Sequence, residues 1–295
     1  MAPEPMAGPE AADPAAAGRE RTARSRAGGT WDSALSAQEF AAVESVGFDP
    51  VGQVLGTAVF QIGYTGAWDC AGPWQTAGIP DLSSSRWAPY APLVRVLYTA
   101  RRTVVGRAAS ECRALGGDGV VGLTLRMREF PSGGVEFTAL GTAVRARSRT
   151  RPHRVFTSHL GGQDFARLII GGWVPTGLAF GISIAALHGD LALRRQTRWT
   201  AGNQEVDGYT RLITYARRDA RTQLARNAAA NGGDGVVVEA MQLQVRDRPC
   251  SQGAHDHVAE AVFAGTSVAR FGRQGRRSGP GPLTIMRLER GSGNG

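Results

Sequence analysis

The chain has 295 residues, of which 42% are hydrophobic, and its formal net charge is +9. This length and composition exclude a wholly disordered chain and indicate one or two globular domains. All 34 basic residues are arginine, and many of them lie between residues 145 and 154 or between 270 and 290. Contact with nucleic acid through this Arg-rich linker and tail is one hypothesis. Because no nucleic-acid-binding motif accompanies the charge, we expect no specific nucleic-acid partner.

The first 30 residues are rich in alanine, proline, glycine and mixed charge, a composition typical of a disordered tail. They contain no continuous apolar run of the kind that a secretory signal requires. The chain has three cysteines, Cys70, Cys112 and Cys250, and no CxxC motif. Such sparse cysteines do not form a disulfide framework, and they predict a protein of the reducing cytoplasm.

An internal repeat is the strongest feature of the sequence. The run GGDGVV occurs at 116–121 and again at 232–237, and each copy follows a helical pattern that contains ARR. Farther on, GTAV at 141–144 is matched by GTSV at 265–268. Upstream, Gly56-Thr57-Ala58 aligns more weakly with Gly177-Leu178-Ala179. The sequence therefore predicts two copies of one unit.

Each copy has the same predicted order of elements. An apolar strand, at about 54–64 or 173–184, precedes a long helix at about 93–115 or 208–231. The apolar stripe of that helix has steps of three and four residues, which place it on one face. A hairpin of two strands follows the glycines that end the helix. We predict an α+β fold made of two strand-helix-strand-strand units, with exposed sheet edges that require pairing.

The stretch from Leu168 to Leu187 contains no charged residue and is long enough to span a bilayer. Its four glycines and Pro175 interrupt a helix. The less hydrophobic counterpart of this stretch in the first copy also favours a buried strand. We therefore expect no membrane partner.

As a set, these motifs resemble the YbjQ-like family, uncharacterised bacterial proteins with the label "putative heavy-metal-binding". The residues that carry the resemblance are the TG-x-A strand at 176–179, the ARR helix, the GGDGVV turn and the closing GTAV and GTSV strands. The resemblance covers about 51–147 and 168–271. It implies a fold related to dodecin-like subunits and assembly into homo-oligomeric rings, typically pentamers. An acidic residue common after the first-strand glycine is absent, because Thr57 and Leu178 occupy those positions.

The best metal candidate is the sequence C-x4-H-x-H formed by Cys250, His255 and His257. Histidines two apart on an extended segment point to the same side. A thiolate and two imidazoles suit a divalent heavy metal such as zinc. The alternative is a polar surface loop, because the first copy has only 131–134 at this place. Apart from this metal we expect no cofactor.

Other polar residues have simpler interpretations. Asp118 and Asp234 in the GGDG turns fit local hydrogen bonding to the backbone, with a paired acidic site as the alternative. Cys112 lies on the apolar helix stripe and is expected to be a buried, unreactive thiol. Glu239 falls in the inward register of its strand, where a carboxylate must be paired, protonated or at an interface. No arrangement of residues indicates a nucleophile system or a phosphate loop, so we do not predict an enzyme.

These observations predict five segments: a disordered tail over 1–30, a first YbjQ-like domain over 31–147, an Arg-rich linker over 148–167, a second YbjQ-like domain over 168–272 and a disordered tail over 273–295. The function they favour is a cytoplasmic, non-enzymatic oligomeric binding or scaffold protein. Divalent heavy-metal binding and nucleic-acid contact are the alternatives.

Overall fold

The computed structural model describes residues 33–62, 81–82, 90–129, 133–189, 191–249, 255–271 and 285–287. The predicted tail over 1–30, Cys70 and Cys250 lie outside these described residues. The elements follow in chain order: α1 (Ala37–Ser45), β1 (Phe48–Gln61), β2 (Asp81–Leu82), α2 (Ala91–Ala114), β3 (Gly119–Glu129), β4 (Gly134–Ala146), β5 (Phe156–Thr157), α3 (Gly162–Ile170), β6 (Trp173–His188), α4 (Leu191–Gln196), a 3-10 turn (Trp199–Ala201), α5 (Asp207–Ala230), β7 (Gly235–Pro249), β8 (His255–Arg270) and β9 (Ile285–Arg287).

The strands form two sheets, which confirms the α+β class. The first sheet has the order β1-β4-β3-β5, and the second has the order β2-β6-β8-β7-β9. In both sheets the central strand, β4 or β8, pairs antiparallel with the strand before the long helix and with the strand after it. The two hairpins of the prediction are therefore present, and each sheet carries one 24-residue helix, α2 or α5.

The layers alternate as sheet one, α2, sheet two and α5. Helix α2 is buried on both sides, because its apolar residues join one core cluster with the inner face of sheet one and with Phe180 and Ile182 of β6. The opposite face of β6, including Ala179 and Ala185, packs against α5 in a second cluster. Sheet two is thus covered on both faces, whereas α2 and α5 differ in how much of their surface is buried.

Two glycines allow the long helices to lie close against the sheets. A Cβ atom on Gly56 would lie only 1.9 Å from the carbonyl oxygen of Val104 on α2. A Cβ atom on Gly181 would lie 1.9 Å from the carbonyl oxygen of Ala220 on α5. Only glycine fits such a close approach of strand to helix backbone. These positions match each other at an offset of 125 residues.

The strand register corrects the weaker part of the sequence alignment. β1 has an irregularity between Pro50 and Gly52, and β6 has the same irregularity between Pro175 and Gly177. Gly177 therefore corresponds to Gly52, and not to Gly56 as the sequence alignment suggested. The error arose because GTA and GLA are short apolar strings that match at more than one register.

Side chains satisfy the backbone at the edges of the sheets. The carboxylate of Glu111 on α2 accepts a hydrogen bond of 2.6 Å from the backbone N–H of Leu55. At the equivalent place in sheet two, Asn227 accepts one of 2.9 Å from the N–H of Phe180. The short strands β5 and β9 pair with the outer strands β3 and β7. Strands β3 and β7 therefore have partners on their outer sides, as expected for the edges of a sheet.

Part of the segment predicted as a linker has regular structure. Phe156–Thr157 is β5, and Gly162–Ile170 is helix α3. The arginine-rich composition of 148–167 predicted a linker, but three of its four arginines lie at 149–154, before the apolar residues begin. Within the predicted C-terminal tail, Ile285–Arg287 pairs with β7.

The apolar stretch from Leu168 to Leu187 contains the end of α3 and most of strand β6, as the strand interpretation required. Among the described residues, none of the helices combines the length and the apolar character needed to cross a membrane.

Candidate functional site at the second hairpin and at the joint between the sheets

The two histidines of the predicted metal set lie on strand β8 and differ in environment. His255, at the start of the strand, is exposed, whereas His257 is 9% exposed. Cys250 lies outside the described residues. The structure therefore places two of the three predicted ligands on one strand, two residues apart.

His257 has a partner on each ring nitrogen. Its Nδ1 lies 2.6 Å from Oδ1 of Asp247 on the paired strand β7, and its Nε2 lies 3.4 Å from the hydroxyl of Tyr209 on α5. A carboxylate on one ring nitrogen is the arrangement that orients a histidine whose other nitrogen binds a metal. It is equally a stable hydrogen bond that holds the end of the hairpin together.

A second histidine-carboxylate pair, which sequence analysis missed, lies nearby. Nδ1 of His188, at the end of β6, is 2.6 Å from Oδ1 of Asp256 on β8. Asp256 and His257 are neighbours on β8, so the two pairs lie on opposite faces of the sheet. The predicted strand ended at about residue 184; extending it to His188 and pairing it with residues 255–257 would have revealed this contact. Within the described ranges, no three metal-ligating side chains cluster, and the metal set stays a prediction.

The aspartates of the GGDG turns hold the ends of the central strands. Asp118 accepts a hydrogen bond of 2.8 Å from the N–H of Ala146, and Asp234 accepts one of 3.0 Å from the N–H of Arg270. In both turns the aspartate N–H bonds back to the same strand. These contacts support the turn interpretation.

Cys112 is buried in the core, whereas Glu239 is exposed on strand β7. Cys112 is fully buried, as expected, and its thiol donates to the carbonyl of Gly119. Burial raises the pKa of this thiol to about 12, which disfavours the reactive thiolate. Glu239 was expected to point inward, but it is exposed and lies at the β7 irregularity between Val238 and Ala240. The extra residue there breaks the alternation on which the expectation depended. Neighbouring segments of the same chain remove part of the hydration of the Glu239 carboxylate and so raise its pKa.

The joint between the two sheets contains the more unusual polar groups. The Tyr98 hydroxyl on α2 accepts a hydrogen bond of 2.9 Å from the N–H of Ile182 on β6. One turn along α2, Arg101 is only 7% exposed. Its two terminal nitrogens donate to the Leu97 carbonyl at 3.2 Å and to the Met127 sulfur at 3.3 Å.

A cavity of about 250 Å³ opens beside Arg101. Sheet one, α2 and the facing strands of sheet two all contribute to its walls. Glu260 on β8 lines the cavity and stabilises the charged form of Arg101, but burial is the larger effect and lowers the pKa of this guanidinium. A buried cation next to open volume distinguishes this place from the rest of the described core.

Comparison with known proteins identifies the family. A family model described as "Putative heavy-metal-binding" (YbjQ_1) matches residues 74–147. The chain is also 30% identical over 252 residues to "Encapsulin nanocompartment protein Rv1762c" of Mycobacterium tuberculosis (strain ATCC 25618 / H37Rv), with 82% of this chain and 87% of that protein covered. Residues 74–147 therefore match the YbjQ-like family, as the sequence motifs indicated. With 82% of its length covered in the match to Rv1762c, the chain belongs to the same family as that protein.

The match to the YbjQ-like family model ends at residue 147, far along the sequence from the predicted metal ligands. His255 and His257 lie on β8, more than 100 residues farther along the chain. The label of the family therefore does not point to Cys250, His255 and His257. Arg101 and the first GGDG turn, in contrast, lie within the matched residues.

Proposed function

We propose that this YbjQ-like protein is a non-enzymatic oligomeric scaffold or binding protein of the cytoplasm, built from two copies of one strand-helix-strand-strand unit. The copies would cover about 33–147 and 156–271. We further propose that it acts as a component of an encapsulin-type nanocompartment, because its relative Rv1762c carries that name. The observation that supports assembly most directly is the packing of α2 on sheet two.

Helix α2 packs on one face of sheet two. In the described chain, no long helix packs on the equivalent face of sheet one. In sheet two that face presents Phe180, Ile182 and Ile184, all nearly fully buried. The equivalent residues of β1, at an offset of 125, are Leu55, Thr57 and Val59, and Val59 is 59% exposed. Helix α5 in turn has one face on sheet two and an outer face that is exposed.

A second copy of the chain fits this vacant face. Within one chain, α2 packs on sheet two. If α5 packs in the same way on sheet one of the next copy, the contact between copies repeats the contact within the chain. Arg217 on α5 is equivalent to Arg101, and Glu136 on β4 is equivalent to Glu260. Arg217 is exposed and Glu136 half-buried, so both are accessible for an ion pair between copies. Such a head-to-tail contact closes into a ring when the rotation allows it.

A charge-reversal experiment tests this interface. We expect Arg217→Glu and Glu136→Arg each to weaken the oligomer about tenfold, because each places like charges opposite one another. The double variant should recover most of the affinity, because it restores the pair in reverse. Sedimentation velocity of untagged protein over a dilution series measures the association.

Arg195→Glu is the matched control, since Arg195 is an exposed arginine on α4, away from both faces. The proposed interface is wrong if the wild-type protein is a monomer at all concentrations. It is also wrong if Arg195→Glu disrupts the oligomer as much as Arg217→Glu. A nanocompartment role additionally requires that the protein co-purifies with a closed shell from its own cells.

The alternative function, divalent heavy-metal binding, rests on the second hairpin. The Asp247 carboxylate occupies Nδ1 of His257, so a metal would bind at Nε2 in place of the Tyr209 hydroxyl, and Cys250 would supply the thiolate. Under this hypothesis, native mass spectrometry of untagged protein should show one zinc per chain after incubation with zinc. The metal should be lost in the variant with His255→Ala and His257→Ala.

His188→Ala is the control for the metal experiment, because His188 forms its own pair with Asp256 on the opposite face. Zinc binding that survives the removal of both His255 and His257 would contradict the proposed ligand set. The absence of stoichiometric zinc in the wild-type protein would do the same.

A further inference from the structure

The cavity at the joint of the two sheets has a charged inner wall and apolar surroundings. Arg101 forms its inner polar group, and Met127, Phe137 and Val262 supply apolar surface. Gln244, Arg246 and Glu260 line the side formed by sheet two, and Glu129 lines the side formed by sheet one. Charged and apolar walls that meet in one small cavity are characteristic of a binding site for an amphipathic small molecule.

Arg101 has more donors than the described chain uses. A guanidinium carries five N–H groups, and the hydrogen bonds of Arg101 go to one backbone carbonyl and one thioether, which is a weak acceptor. Within the described part of the chain, Arg101 forms no ion pair, even though it is 93% buried. The Phe137 ring, 5.8 Å from the guanidinium carbon, covers one side of it. A buried guanidinium with free donors is costly unless an anion completes it.

The size and polarity of the cavity restrict the anion. A cavity of about 150 Å³ holds benzene, so the 250 Å³ here accommodates about ten non-hydrogen atoms. A carboxylate matches the planar fork of a guanidinium with two parallel hydrogen bonds. The carboxylates of Glu129 and Glu260 in the walls disfavour a dianion such as phosphate. The apolar side chains provide no partners for a small, fully hydrated ion.

We propose that this cavity binds a small organic monocarboxylate, with its carboxylate on Arg101 and its apolar body against Met127, Phe137 and Val262. Because the two units of the chain both contribute walls, the ligand would stabilise their arrangement. The site does not depend on assembly, since every residue of the wall belongs to one chain.

Benzoate is a suitable probe, because it combines a carboxylate with a ring of the right size. We expect benzoate to bind saturably to the wild-type protein, as followed by isothermal titration calorimetry and by saturation-transfer NMR. Benzyl alcohol, which has the ring without the charge, and acetate, which has the charge without the ring, should each bind at least about tenfold more weakly.

Arg101→Met should abolish benzoate binding and leave the fold intact, because an apolar side chain of similar length replaces a buried cation that, in the described chain, forms no ion pair within hydrogen-bond distance. Arg102→Met is the matched control, since Arg102 is the adjacent, exposed arginine of the same helix. Val262→Phe should also abolish binding by filling the cavity while Arg101 remains. Circular dichroism and thermal melting check that each variant is folded.

The proposal is overturned if benzoate does not bind the wild-type protein at millimolar concentration. It is also overturned if Arg101→Met or Val262→Phe binds benzoate as the wild type does, or if benzyl alcohol binds equally well. Sedimentation of the same samples separates this result from the proposed assembly, because loss of benzoate binding with an unchanged oligomer contradicts the cavity proposal alone.

Discussion

Gly56→Ala should lower the free energy of unfolding by about 3 kcal/mol, the upper part of the usual range for overpacked cores. The new Cβ atom would lie 1.9 Å from the carbonyl oxygen of Val104 and 2.9 Å from the amide nitrogen of Ala108. Both are backbone atoms, so the clash can be relieved only by moving helix α2 away from sheet one. That movement also disturbs sheet two, because α2 packs on both sheets. Urea unfolding at fixed protein concentration measures the loss.

Gly106→Ala is the matched control on the same helix. Nothing lies within 4 Å of the position of a Cβ atom on Gly106. In an exposed helix interior, alanine is favoured over glycine by about 0.8 kcal/mol, so this variant should be slightly more stable than the wild type. If the two variants changed the midpoint of unfolding equally, the close approach of β1 to α2 would not control stability.

Much of the fold could be predicted from local patterns. The steps of three and four residues on α2 and α5 predicted two helices, which the structure places at Ala91–Ala114 and Asp207–Ala230. The GGDG turns marked where each helix ends and a strand begins, because glycine ends helices and aspartate bonds to the backbone of turns. These signals depend on residues that are close in the sequence.

The arrangement of the layers could not be predicted in the same way. The stripe of α2 indicated one buried face, but Tyr98 and Arg101 on a second side also meet a sheet. A polar residue at such a position is usually taken as exposed, and only the packing of sheet two on α2 makes it buried. The same limitation applies to Glu239, whose exposure depends on a strand irregularity that the sequence does not mark.

The segment that connects the two sheets was not predicted either, and it contains a titratable side chain, His159, in contact with sheet two. Ser158 bonds to β3 of sheet one through its backbone, while the backbone N–H of His159 donates to the Thr266 hydroxyl of sheet two at 3.1 Å. Nδ1 of His159 lies 2.7 Å from the same hydroxyl oxygen. In sheet one, Ala34 donates its N–H to the hydroxyl of Thr142. The ring of His159 is therefore an addition specific to the joint.

Burial lowers the pKa of His159 from its ordinary 6.5 to about 4, although the negative charge of Asp164 acts in the opposite direction. The unfolded chain therefore binds a proton between about pH 6.5 and 4 that the folded chain does not bind, so stability falls as the pH decreases through this window. The full shift corresponds to about 3 kcal/mol. Above pH 6.5 this contribution is complete, and the imidazole is neutral in both states.

His159→Asn should remove this part of the pH dependence, because asparagine keeps a polar atom near the position of Nδ1 but does not titrate. We expect the wild type to lose about 3 kcal/mol more than the variant between pH 7 and pH 4, as measured by urea unfolding at each pH. His153→Asn, at an exposed histidine of the same connection, should follow the wild type. If the wild type and His159→Asn lost stability in parallel, the neutral imidazole would not hold the joint, and its contact with Thr266 would contribute packing alone.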